Sequence, residues 1–201
     1  MYAPGTKKIL AISGSLRTGS SNHAILRFLG KMAPDGVVYT IYDGLAQLPH
    51  FDPGLDNDSP PERVTQLRTL LAEVDGIIIC TPEYACGVPG SLKNALDWTV
   101  SSGSLVDKPT ALITASTGGE NAHAALLLIL GALSANLLKG ATLLIPFIRS
   151  KIDGDGNMRD AETAERLRSV FNALLAVIWL NKKTVIARYE AISELCITGM
   201  H

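Results

Sequence analysis

Apolar positions follow two rhythms along this chain. Five short runs carry no polar face: residues 8–13 (KILAIS), 37–41 (VVYTI), 76–80 (GIIIC), 110–115 (TALITA) and 142–147 (TLLIPF). Runs of this length, rich in branched side chains and bounded by turn formers, predict strands buried on both faces of a parallel sheet. Between them apolar residues recur at helical spacing. Ala24, Ile25, Phe28 and Leu29 form one such set, Val64, Leu67, Leu70 and Leu71 a second within 61–72, and Leu92, Ala95, Leu96 and Thr99 a third. Residues 122–138 are strongly apolar and read as a helix. Residues 160–180 are amphipathic, with Leu167, Val170, Phe171, Leu174, Val177 and Ile178 on one side. Ser91 and Asp160 stand where N-caps belong. Strands alternating with helices predict a doubly wound parallel α/β sheet of five strands in the order 2-1-3-4-5. A single domain over 1–201 follows from the length, with 181–201 as an extension that the pattern does not place.

The stretch 81–98 (TPEYACGVPGSLKNALDW) joins the third strand to its helix. Open α/β sheets bind ligands at the carboxyl ends of their strands. Pro82 and Pro89 stiffen the loop, while Gly87 and Gly90 allow a close approach of backbone to a ligand. A plain connection needs no such concentration of special residues, and loops that have it are more often functional.

The loop after the first strand, 14–22 (GSLRTGSSN), leads directly into a helix, which is the arrangement that holds a phosphate. It lacks the Lys of the nucleoside-triphosphate loop, since Ser20 stands there. It also lacks the second Gly of the dinucleotide fingerprint, because Ser15 and Leu16 follow Gly14. What remains is Ser15, Ser20, Ser21, the Asn22 amide and one cation, Arg17, a set suited to one phosphate monoester. The competing reading is a Ser-rich turn with Asn22 as the helix N-cap. A third polar loop, 116–121 (STGGEN), follows the fourth strand, so three loops converge over one crevice.

Composition narrows the partners. The chain has 201 residues, 47% of them hydrophobic and 18% charged, with a net charge of −1. No positive field is available for nucleic acid or an acidic membrane surface. Cys80, Cys86 and Cys196 are scattered and odd in number, which argues against a disulfide framework and for a cytoplasmic protein; residues 1–13 show no signal-peptide pattern. Residues 153–157 (DGDGN) begin like a calcium loop, but Met158 and Ala164 occupy the positions that need Gly and Glu. The four histidines lack metal-ligand spacing, so no metal is expected. Cys86 reads as a small space-filling residue or as a redox-active thiol.

Residues 14–22 and 81–98 together resemble the NADPH-dependent FMN reductase family, flavodoxin-like flavoenzymes that include quinone, azo and chromate reductases. The resemblance covers roughly the first 180 residues. It implies a flavodoxin-like fold, FMN as cofactor, and NADPH or NADH as co-substrate. It places the FMN phosphate on Ser15, Arg17, Ser20 and Asn22, with Ser21 where the family often has an aromatic residue. It places the flavin ring against Pro82, Glu83, Tyr84 and Ala85, the last standing where the family usually has Asn. Ser116, Gly118 and Gly119 resemble the third flavin contact, with Thr117 where the family tends to have Pro. No catalytic side chain is implied, because the cofactor supplies the hard chemistry; Tyr84 is the candidate wall of a substrate pocket.

The expected function is transfer of electrons from NAD(P)H through FMN to a small quinone-like oxidant, with ping-pong kinetics. Two other readings fit parts of the chain: a flavodoxin-like electron carrier, disfavoured by the small net charge, and a phosphate-ester module using only the first loop. Residues 124–133 (AALLLILGAL) have no polar position on any face. One sheet covers one face only, which predicts a homodimer or homotetramer through the other, or a C-terminal segment folded over it.

Overall fold

A computed structural model describes residues 5–198, with side chains described as far as Leu180 in the last helix. β1 (Lys7–Ser13), β2 (Val37–Tyr42), β3 (Gly76–Thr81), β4 (Pro109–Ala115) and β5 (Asn136–Ile145) form one sheet in the order β2-β1-β3-β4-β5. All four neighbouring pairs are parallel. The flavodoxin-like strand order expected from the sequence is thus present, with β1 and β3 adjacent at the switch point.

Alternate side chains of each strand enter two cores. Ile9, Ala11, Ile78 and Cys80 face α1 (Ser21–Gly30) and α6 (Ala161–Thr198) on one side, where Ile148 of the one-turn helix α5 (Ile148–Lys151) joins the same core. Leu10, Ile12, Ile77 and Ile79 face α2 (Glu62–Glu73), α3 (Gly90–Asp97) and α4 (Glu120–Ala132) on the other. This is why the strands read as unbroken apolar runs. The few polar residues buried there have partners: Thr110 Oγ1 donates to Lys108 O, and Thr114 Oγ1 lies 2.9 Å from His123 Nδ1.

Three local expectations are corrected. The helix expected over 122–138 ends at Ala132, and residues 136–138 belong to β5. The turn is a Schellman motif: Ser134 takes a left-handed φ of 54°, its N–H donates to Gly131 O, and Ala135 N–H donates to Leu130 O. A continuous apolar run hides this switch, because periodicity cannot separate a buried helix from a buried strand. β5 accordingly starts at Asn136 rather than 142 and stops at Ile145 rather than 147. Its pairing with β4 jumps in register between Leu137 and Thr142, and Gly140 at φ +85° lies in the irregular part. Ser91 is not an N-cap: α3 begins at Gly90, directly after Pro89, with no side-chain cap. Asp160 does cap α6, its carboxylate accepting from Thr163 N–H at 2.8 Å.

α6 takes in most of the unplaced extension, while residues 199–201 lie outside the described residues. The described part of α6 packs on the sheet face opposite α4. Among the described residues no helix is long and apolar enough to cross a membrane. The long connection between β2 and α2 is clamped to α3. Asn94 accepts from Phe51 N–H at 2.7 Å and donates to Pro49 O, which also accepts from Trp98 Nε1. These bonds hold α3, and with it the loop that precedes it, against the sheet.

Candidate functional site

Three loops meet at the carboxyl edge of the sheet, and each is held there by identifiable bonds. The β1–α1 loop starts at Gly14, whose N–H donates to Cys80 O at 2.8 Å. A Cβ at Gly14 would come within 2.7 Å of Thr81 Cβ, so only glycine lets the loop cross β3 so closely. The loop then turns through Gly19 at φ +69° into α1. Ser20, rather than Asn22, is the N-cap of α1. Its Oγ accepts from His23 N–H at 3.2 Å and lies 3.2 Å from His23 Nδ1. Burial, and then the nearby Arg27 charge, hold the His23 imidazole below its usual pKa and so favour its neutral form.

Asn22 is buried and ties the strands together. Its Nδ2 donates to Ala115 O at 3.3 Å, and its Oδ1 accepts the Cys80 thiol at 3.3 Å. Burial pushes the Cys80 pKa well up, which keeps that thiol protonated as a donor. The side chains of Ser20 and Asn22 therefore already have partners. The backbone N–H groups of Ser21 and Asn22, in the first turn of α1, have no intrahelical acceptor and remain available to an anion.

The β3–α3 loop closes on itself as a tight hairpin. Tyr84 and Gly87 exchange both backbone hydrogen bonds at 3.0 Å, and Ala85 (φ 47°) and Cys86 (φ 57°) form its tip. Two left-handed central residues make this a type I′ turn, built here without Asn or Gly at its tip. Glu83 joins this loop to the third: its Oε2 accepts from Ala122 N–H at 2.8 Å, capping α4 from outside the helix. Ser116 Oγ donates to Glu83 O, at 3.5 Å. Tyr84 OH lies 3.3 Å from Ser15 Oγ, linking the second loop to the first. The Tyr84 side chain is otherwise 53% exposed, not a core tyrosine.

Between the loops lies a cleft of about 260 Å³. Of the residues singled out in the sequence, Ser15, Arg17, Ser20, Ser21, Asn22, Pro82, Glu83, Tyr84 and Ser116 line it. Ala85, Gly118 and Gly119 do not. Ala85 is at the hairpin tip, and Gly119, at φ +124°, is the turn into α4. A Cβ on Gly119 would meet Leu144 Cδ1 at 2.9 Å, so that glycine serves packing of the loop onto β5.

Arg149 also lines the cleft, with Ala115, Thr117 and Ile148, and none of these four is among the residues expected from the sequence. Arg149 sits in the one-turn helix that follows β5, entered where Phe147 takes a left-handed φ of 53° and the N–H groups of Phe147 and Ile148 donate to Thr117 O and Ser116 O. The signal that would have found it is general: every loop at the carboxyl edge is a candidate, including the one after the fifth strand. Arg17 and Arg149 have no ion-pair partner among the described residues. Two unneutralised guanidinium groups and free helix N–H groups in one cleft form a receptor for an anion.

The chain is 31% identical over 173 residues to a quinone reductase of Escherichia coli K12, covering 83% of this chain and 92% of the relative. It is 32% identical over 184 residues to a 2-hydroxy-1,4-benzoquinone reductase of a Burkholderia species, covering 89% and 98%. Among solved structures it superposes on FerB, a flavoenzyme NAD(P)H:(acceptor) oxidoreductase from Paracoccus denitrificans, with a TM-score of 0.69 at 28% identity, covering 86% of this chain and 97% of that one. The family model for NADPH-dependent FMN reductases matches residues 7–149, from the first residue of β1 to Arg149 in the cleft, and the chain belongs to that family.

Proposed function

We propose that this enzyme uses FMN held in the carboxyl-edge cleft to pass electrons from NAD(P)H to a small quinone-like oxidant. The observation that carries the reading is the pairing of Arg17 and Arg149, both without ion-pair partners, with the free N–H groups that open α1. That donor set fits a phosphate monoester. In this reading Ser15, Arg17 and Ser21 face the phosphate directly. Ser20 and Asn22 shape the loop, through the helix cap and the bonds to Ala115 and Cys80. Pro82, Glu83 and Tyr84 border the ring. Thr117 N–H, which has no hydrogen bond among the described residues, serves an anionic ring edge, with Ser116 beside it. Ala85, Gly118 and Gly119 act by setting the backbone of these loops.

Bound FMN supplies the hydride and electron chemistry. The chain's own residues orient and gate. Glu83 fixes the ring loop to α4, and Tyr84 offers a flat, exposed apolar surface at the mouth for a ring substrate. One mouth serves both NAD(P)H and oxidant, so the two take turns. Initial rates at varied NADPH and quinone are therefore expected to give parallel double-reciprocal lines, with Tyr84→Ala raising KM for the quinone while FMN stays bound. Intersecting lines would show both substrates bound together and would refute the shared mouth.

The assembly reading rests on α4. Leu126 and Leu130 are buried, but Leu128 is 77% exposed and Leu127 38%. We assign this outer face to a second copy of the chain in a homodimer, or in a homotetramer built from it. Among the described residues Cys80 and Cys86 are free thiols, which suits a reducing cytoplasm.

A further inference from the structure

A second cleft, of about 360 Å³, adjoins the first, and the two share Arg17, Ser21 and Arg149. It opens from the phosphate end of the proposed flavin site and runs along α1, away from Tyr84 and Glu83, to Arg27 and the turn at 153–156. Three guanidinium groups border it, Arg17, Arg27 and Arg149, and none has an ion-pair partner among the described residues. Asp153 and Asp155 border it as well, but neither carboxylate forms an ion pair with these arginines among the described residues, so an excess of positive charge is left for an anion. Arg27 does not border the first cleft, so the flavin phosphate leaves it unanswered.

The carboxylates nearby refine the ligand. Asp153 is turned to its own loop, its Oδ1 accepting from Asp155 N–H at 3.0 Å and Asn157 N–H at 2.8 Å. The Asp155 carboxylate has no hydrogen-bond donor among the described residues and lines the cleft. Gly156, at φ +83°, keeps the wall back: a Cβ there would sit 3.3 Å from Arg27 Nη2. Guanidinium groups for a phosphate beside a free carboxylate for ribose hydroxyls is the donor and acceptor set of a nucleotide. A bare inorganic anion would gain nothing from Asp155. The volume lies within the ~300–1,000 Å³ of small-molecule sites.

We infer that this second cleft binds the nucleoside 5′-phosphate half of a dinucleotide, next to the flavin phosphate. The inference rests on the FMN reading above. Two dinucleotides carry that group: FAD, whose second phosphate follows directly on the first, and NAD(P)H.

The test is calorimetric titration of wild type, Arg27→Ala and Arg27→Lys. Apoprotein is titrated with FMN and with FAD, and FMN-loaded protein with 5′-AMP, alongside the KM for NADPH. Arg27→Ala is expected to leave FMN affinity unchanged and to weaken one dinucleotide about tenfold, the worth of one charge-assisted hydrogen bond, with part of the loss recovered in Arg27→Lys. A loss for FAD alone identifies the flavin dinucleotide. A loss for 5′-AMP together with a raised KM for NADPH identifies the nicotinamide dinucleotide. If FAD, 5′-AMP and NADPH all behave as in wild type while FMN still binds, the second cleft is not a nucleotide site and the FMN reading stands. If wild-type apoprotein fails to bind FMN, both readings fall.

Discussion

Arg17 shows how far a single residue could be read from the sequence and where that reading stopped. Its place in a Ser-rich loop before a helix marks it as a phosphate ligand, and it does line the cleft without an ion-pair partner. Arg17→Ala is expected to weaken FMN binding by about 1.5–3 kcal/mol, roughly tenfold to a hundredfold, and to leave riboflavin binding unchanged. Equal loss for both ligands in a titration would remove Arg17 from the phosphate. Ser20 and Asn22 share the motif but already have partners in His23, Ala115 and Cys80. Those partners are 58 and 93 residues away for Asn22, and local spacing does not reveal them. Ala85 is the opposite case: nothing in its sequence signals strain, yet both tip residues of its turn have positive φ. A left-handed Ala costs about 1–2 kcal/mol, a cost that Asn largely avoids. Ala85→Asn should raise Tm by about 2–4 °C, the shift about 1 kcal/mol produces in a domain of this size, and Ala85→Val should lower it. Calorimetric melting that shows no gain for Asn would mean the tip is not strained.

At the scale of elements, legibility followed burial. β1, β3 and β4 are covered on both faces, and their apolar runs announced them. β5 is an edge strand like β2, but unlike β2 it follows an apolar helix directly; its first residues are exposed or half-buried, so nothing but the turn at Ser134 separates them from that helix. Arg149 went unnoticed for a related reason, because its loop follows that misplaced strand. α4 was legible as apolar, and its outer residues Leu127 and Leu128 are exposed among the described residues. Leu128→Asp changes an exposed position, so the fold should survive while the apolar face is spoiled. Light scattering at micromolar concentration is expected to give at least twice the chain mass of 21.4 kDa for wild type and the single mass for the variant. A wild-type monomer would contradict the assigned interface.

Across the whole molecule, one sheet brings three distant loops to a common edge, and a fourth adds a second cation. The strand order does this by setting β1 beside β3, so the loop that ends β1 and the loop that ends β3 open on the same crevice. In the proposed function this crevice orients the cofactor, and one mouth admits reductant and oxidant in turn. The most direct measurement is anaerobic: FMN-loaded protein is mixed with NADPH and followed at the visible flavin absorbance, then freed of nicotinamide and mixed with a quinone. The colour should bleach with NADPH and return fully with quinone alone. Colour that persists with NADPH, or returns only while nicotinamide is present, would contradict the account.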